Sequence, residues 1–200
     1  MFGLPANTEV GTQLPKKSIY AKFAMNSSEK DKFDADISRI VIANAVGSQH
    51  LPEGEKVKSF YVLAVQLKHK DYDPKNILTL VKLINQNIVF ALVYEEQVQF
   101  AIHHTKLITS SWQPAAEANL TLSGLDLDAV WENIVKSVGK IDVTEGNTLT
   151  EQIKVEDARV KITAQIASLQ KKLNSEKQFN RQIEINAQIK ALRKQLMELK

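Results

Sequence analysis

The chain has 200 residues, 44% of them hydrophobic and 24% charged, a balance that belongs to a folded globular protein and excludes a disordered one. It has no cysteine, which excludes disulfides and thiol catalysis and weakens a zinc reading; no apolar run reaches the roughly eighteen residues of a membrane span. The net charge of +3 is uneven: residues 150–200 carry 11 Lys/Arg against 6 Asp/Glu, a net of +5, which leaves −2 for residues 1–149.

The opening MFGLPANTEVGTQLPKK lacks a basic stretch followed by an apolar one, so it is not read as a signal peptide, and a cytoplasmic location is expected. Its first fourteen residues predict an extended arm. Pro15 suits the first turn of a short helix over Lys16–Ala24, with Ile19 and Phe23 on one face. Ser27 or Ser28 is positioned to cap a second helix carrying Phe33 and Ile37. The β-branched run Ile40-Val41-Ile42 predicts a strand over Ser38–Val46, and Gly47 to Gly54 a loop.

Val57 to His69 alternates most clearly: Val57, Tyr61, Leu63, Val65 and Leu67 share one face, and Phe60, Val62 and Ala64 the other. Two apolar faces mark a central strand covered on both sides. Asp73-Pro74 reads as an N-cap followed by proline at the first helical position, with Ile77, Leu80, Val81 and Ile84 as the buried stripe. Strands over Ile88–Tyr94 and Gln97–His103 follow, joined through Glu95-Glu96, and Leu107–Trp112 extends the sheet. Leu120–Leu122 is either one more strand or linker. A helix from Asp128 to Val138 places Val130, Trp131, Ile134, Val135 and Val138 on its apolar side, and Gly139 is expected to stop it. Ile141 to Thr150 is polar and reads as a hinge.

From Asn147 onward there is neither glycine nor proline, so this segment predicts helix. Ile162, Ile166, Leu169 and Leu173 are spaced as in a coiled-coil seam, and so are Ile185, Ile189, Leu192, Leu196 and Leu199. The two runs are out of phase. The step from Leu173 to Ile189, at 100° per residue, leaves roughly 160° after whole turns. Either the helix breaks near Asn174-Ser175 and returns as a hairpin, or it continues and each stripe meets a different surface. Ser175 and Gln178 have the spacing of a capping box, which favours the break. Either arrangement buries too little alone, so a partner surface is expected. The fold class is therefore α+β, a mainly antiparallel sheet with flanking helices over 1–146. A basic amphipathic extension over 147–200 follows, as a helical hairpin or coiled coil.

FGLP-x-x-TEV, LPKKSIYAKF and above all EKQFNRQIEINAQIKAL resemble the bacterial family known as domain of unknown function 4391, over nearly the whole chain. Phe179-Asn180-Arg181 with Glu184 and Asn186 is more distinctive than a generic heptad. The resemblance implies a bacterial protein encoded beside helicases and DNA methyltransferases in restriction or phage-defence clusters. It thereby implies an accessory subunit, and it supplies no catalytic residue.

The residues themselves offer little chemistry. A metal nuclease needs carboxylates and a lysine on adjacent strands; Asp36, Asp71 and Lys68 are the available set, with Gln66 where a carboxylate is wanted and Asp73 better explained as a cap. His103 and His104 are neighbours and point to opposite faces of a strand, His50 and His69 sit at loop edges, and Glu95 and Glu96 are turn residues. No P-loop, G-x-G-x-x-G or G-x-S-x-G is present. No cofactor or metal is expected.

The leading expectation is a non-enzymatic interaction protein that meets a helicase or methyltransferase subunit, or a second copy of itself. The expected contacts are Ile162, Ile166, Leu169, Leu173, Phe179, Arg181, Ile185, Ile189, Leu192 and Leu196. The alternative is nucleic-acid binding through Lys161, Lys171, Lys172, Lys177, Arg181, Arg193 and Lys194. For those lysines and arginines a solvated helix face is the simpler reading.

Overall fold

The computed structural model describes residues 2–84 and 86–199. It divides into two compact units, Met1–Ile141 and Asp142–Lys200.

The first unit is built on one sheet. Strands β1 (Glu9–Gln13), β2 (Ile37–Gly47), β3 (Ser59–Leu67), β4 (Asn87–Tyr94), β5 (Gln97–His103) and β6 (Leu107–Thr109) follow one another across it. The short β7 (Gln113–Pro114) pairs with the far end of β5. Among the described residues only β3 and β4 run parallel, because the helix between them carries the chain back across the sheet. The arm predicted to be merely extended forms a 3-10 turn (Ala6–Thr8) and the edge strand β1. Residues 120–122 form no strand; Leu120 N–H instead donates to Phe2 O.

One face of the sheet packs α1 (Lys16–Lys22), α2 (Ser27–Asp36) and α3 (Pro74–Leu83). Ile19, Phe33, Ile77 and Leu80 from these helices meet Ile40, Leu63, Val65, Phe90 and Leu92 in a core with almost no exposed surface. The other face is partly covered by α4 (Leu127–Gly139), whose Trp131 packs on Phe60 with ring centroids 5.7 Å apart. The N-terminal arm covers more of the sheet, with Phe2 edge-on to Phe100. The expectation of a central strand covered on both faces holds for β3 at Phe60, Val62, Leu63, Val65 and Leu67; Ala64 is half-buried and Gln66 exposed.

Caps were the least legible feature. Asp73 and Pro74 start α3 as expected, with Asp73 accepting from Lys75 N–H. For α2, however, Asn26 and not Ser27 or Ser28 is the N-cap, in a reciprocal box with Glu29. Helix α4 starts at Leu127 under an Asp126 cap, which frees Asp128 for a longer-range role. The Asp128 carboxylate accepts the consecutive N–H groups of Glu55, Lys56 and Val57 at 2.6–3.1 Å. The Lys56 N–H above all, with those of Val57 and Glu55 and the Lys56 ammonium, holds this carboxyl below its ordinary value. Gly54 permits the wrap, since a Cβ there would lie 2.3 Å from the Asp128 carboxylate. Gly139 does not end α4 in the left-handed conformation. Lys140 does, at φ 49°, while Gly139 is the last helical residue, packed too closely against Ile141 and Ile108 to accept a Cβ.

The second unit is an antiparallel helical hairpin of α5 (Leu149–Ser175) and α6 (Phe179–Glu198). The segment read as a hinge supplies its start: Thr148, with Glu151 just beyond that segment, forms a capping box at α5.

Candidate functional site

The hairpin is closed by a device that the spacing did not reveal. Ser175 makes no capping box with Gln178; it is the last residue of α5 and its hydroxyl donates back to Lys171 O and Lys172 O. Gln178 is the N-cap of α6 but offers no side-chain bond. Glu176 does the work instead. Its Oε1 accepts from Lys177 N–H at 2.8 Å and Gln178 N–H at 2.9 Å, and its backbone oxygen accepts from the Gln182 amide. The Gln178 bond foremost, then the Lys177 bond and the Arg181 charge, hold the Glu176 carboxyl below its ordinary value against the opposing effect of burial. At the other end, Arg159 Nη2 donates to Leu199 O at 2.8 Å, which fixes the antiparallel register.

The two out-of-phase stripes thus face each other. Ile166 and Ile189 are buried, and Ile162, Leu169, Leu173, Ile185, Leu192, Leu196 and Leu199 are half-buried. The expected contact residues therefore fall into two groups. The isoleucines and leucines lie in the seam between α5 and α6, whereas Phe179 and Arg181 are exposed. Val160 (66% exposed), Ile183 (53%) and Met197 (77%) join Phe179 (72%) as large apolar side chains open to solvent. At 100° per residue, Phe179, Ile183 and Met197 share one face of α6, roughly 120° round from the seam. Sequence reasoning missed Val160, Ile183 and Met197; only the register of the hairpin separates them from the seam.

Helix ends bring Lys171, Lys172, Lys177 and Arg181 together at the tip of the hairpin, where Arg181 lies 4.0 Å from Glu176. Arg193 and Lys194 stand about 22 Å along α6 at 1.5 Å per residue, and Lys194 is 3.8 Å from Glu198. Lys161 is exposed midway along α5. The predicted basic set is therefore two clusters and not one strip.

The nuclease set has other occupations. Asp36 is buried, and its Oδ2 accepts from Asp73 N–H and from the Asn76 amide, both at 2.7 Å. Its Oδ1 lies 3.2 Å from His69 Nε2. The carboxylate thus joins the end of α2 to the loop and helix after β3, a role not legible while Asp36 and His69 were read as unrelated residues. Lys68 N–H donates to Asp36 O and its side chain is exposed. Among the described residues no group of three or more His, Asp or Glu is placed to hold a metal ion.

The other histidines are also accounted for locally. His50 Nδ1 accepts from Gly47 N–H, and its Nε2 lies 3.1 Å from Asn7 O. Burial, then the neighbouring His103, holds His104 below its ordinary value. Glu95 and Glu96 form the exposed β4–β5 turn, with Glu95 left-handed at φ 50°. No helix among the described residues is long and apolar enough to cross a membrane.

Fold and hairpin together define a two-unit protein, an α+β sheet domain followed by an antiparallel helical pair. The chain belongs to the family described as domain of unknown function (DUF4391), whose family model matches residues 2–196. No curated protein and no solved structure matches it.

Proposed function

We propose that the protein is a non-enzymatic, cytoplasmic interaction subunit that docks a partner protein through the exposed face of its C-terminal hairpin. The observation that carries this reading is the apolar surface left over once the seam is closed. Phe179, Ile183 and Met197 remain more than half exposed on one face of α6 although the helix already buries its seam against α5. Phe179 and Ile183 lie one turn apart on that face and Met197 about 21 Å further along it, and apolar side chains left open on a helix that has already closed its seam are available to a partner. The family resemblance makes a helicase or DNA methyltransferase subunit of a modification or phage-defence assembly the partner of choice.

The test uses the full chain with Phe179→Asp, Ile183→Asp and Met197→Asp together. We expect the triple variant to keep its circular dichroism spectrum and to lose co-purification with a helicase or methyltransferase encoded beside it. Retention of that partner by the variant rejects the reading. Light scattering of the wild type alone separates a second copy of the chain from a different protein as the occupant.

Nucleic-acid binding is the second reading, favoured by the convergence of Lys171, Lys172, Lys177 and Arg181 at one tip. It requires affinity that falls steeply with salt. Replacing those four residues by glutamine should abolish a low-salt mobility shift, and absence of any shift in the wild type removes the idea. The cryptic metal-nuclease reading draws no support from Asp36, whose carboxylate is engaged by Asp73, Asn76 and His69.

A further inference from the structure

The sheet face that carries α4 is incompletely covered, and its register places two polar side chains together there. Arg39 of β2 stands opposite Gln66 of β3, and Val41 opposite Ala64. β4 sets Val93 beside Gln66 and Ala91 beside Ala64. Residues paired across neighbouring strands project from the same face. A row Arg39–Gln66–Val93 therefore borders a row Val41–Ala64–Ala91. The small side chains Ala43 and Ala64 leave the floor low, and Val10 of β1 forms part of the wall. The result is a pocket of about 460 Å³, within the usual range for small-molecule sites.

Its chemistry is specific. The lining is mainly apolar, and its polar groups include the Arg39 guanidinium, the Gln66 amide and, on β1, Glu9. Among the described residues neither Arg39 nor Gln66 has a side-chain hydrogen bond or ion pair. A guanidinium with no hydrogen bond or ion pair of its own, beside a free amide and above an apolar floor, is arranged to receive an anion that brings an apolar body with it. The guanidinium matches a carboxylate with two parallel hydrogen bonds. The charge count decides between anions. The single guanidinium matches the one negative charge of a carboxylate and leaves one of the two charges of a phosphate monoester unmatched.

We propose that this pocket binds a small organic monoanion, a carboxylate carried on a flat apolar body of about one ring. Arg39 receives the carboxylate, Gln66 donates a further hydrogen bond, and Val10, Val41, Ala64 and Val93 enclose the ring.

Benzoate is the probe, titrated into the ¹⁵N-labelled full-length protein and followed by amide chemical shifts. Shifts confined to residues 39–43, 64–66 and 91–93, with an affinity on the order of 1 mM, are expected. Benzamide, which keeps the ring and lacks the charge, and inorganic phosphate, which has charge and no ring, should each bind about tenfold more weakly or worse. Arg39→Gln should weaken benzoate by a similar factor. Ala64→Leu should fill the floor and abolish binding. Arg39 is exposed, so its variant is not expected to disturb folding, and it decides the matter even if Ala64→Leu fails to fold. The proposal is overturned if about 20 mM benzoate moves none of these amides, with affinities weaker than this not distinguishable from bulk contact. It is equally overturned if benzamide or phosphate equals benzoate, or if Arg39→Gln binds benzoate as the wild type does.

Discussion

Truncating Ile189 tests the hairpin directly. Ile189 is 6% exposed in a helix whose other faces are largely open. Ile189→Ala removes about three methyl or methylene groups at roughly 0.8 kcal/mol each, or about 2.4 kcal/mol of transfer free energy. A two-helix seam lets neighbours and water relax into the gap, so little cavity energy is added to that figure. Alanine returns about 0.4 kcal/mol through its better helix propensity. The net loss is about 2 kcal/mol, close to thirtyfold in the equilibrium for separating the helices.

Amide hydrogen exchange reads this change locally. Protection over residues 179–198 should fall about thirtyfold while that of β3 and β4 stays as in the wild type. Circular dichroism supports the measurement, because α5 and α6 contribute 27 and 20 residues, more than the other four α-helices together. Phe179→Ala is the control, since that ring is 72% exposed and its loss should change stability by no more than about 0.5 kcal/mol. The reasoning is refuted if Ile189→Ala leaves exchange within about threefold of wild type, or if Phe179→Ala is the more damaging change. Either outcome means that the two stripes do not face each other.

Further predictions concern the first unit and the turn. Asp36→Ala leaves the Asp73 N–H and the Asn76 amide without their acceptor and should cost about 2–3 kcal/mol in urea denaturation; an unchanged midpoint contradicts the bonding described. Lys140→Gly relieves a left-handed non-glycine residue and should add about 0.5–1 kcal/mol, visible as a raised urea midpoint. Asp128 and Glu176 have folded-state pKa values below their unfolded ones. Their stabilisation is therefore present above the unfolded values, near pH 4, and is lost as pH falls through the lower folded values. Asp128→Asn should flatten the fall in stability between about pH 5 and 3, and a slope identical to wild type rejects that assignment.

Local pattern carried much of the architecture. The alternation of Tyr61, Leu63, Val65 and Leu67 placed β3 in the sheet, and Asp73-Pro74 placed the start of α3, because both depend only on neighbours along the chain. The phase difference between the stripes ending at Leu173 and resuming at Ile185 admitted either a hairpin or a continuous helix; α5 and α6 form the hairpin, without the Ser175–Gln178 box that had favoured it. The caps were harder to read, because several polar residues compete for each helix start. Asn26 caps α2 in place of Ser27 or Ser28, Asp126 caps α4 while Asp128 turns to the distant 55–57 loop, and Glu176 holds the turn where a Ser175–Gln178 box was expected.

Helix and strand periodicities are properties of consecutive residues, so the sequence by itself determined most of the helices and strands, their apolar faces and the phase change in the tail. Tertiary structure alone decided what depends on register between distant segments. It joined Asp36 to Asn76, set Arg39 against Gln66 above a floor of small residues, and turned Phe179, Ile183 and Met197 away from the seam. No spacing encodes those juxtapositions, because each arises when whole elements pack and the most favourable burial fixes which side chains meet.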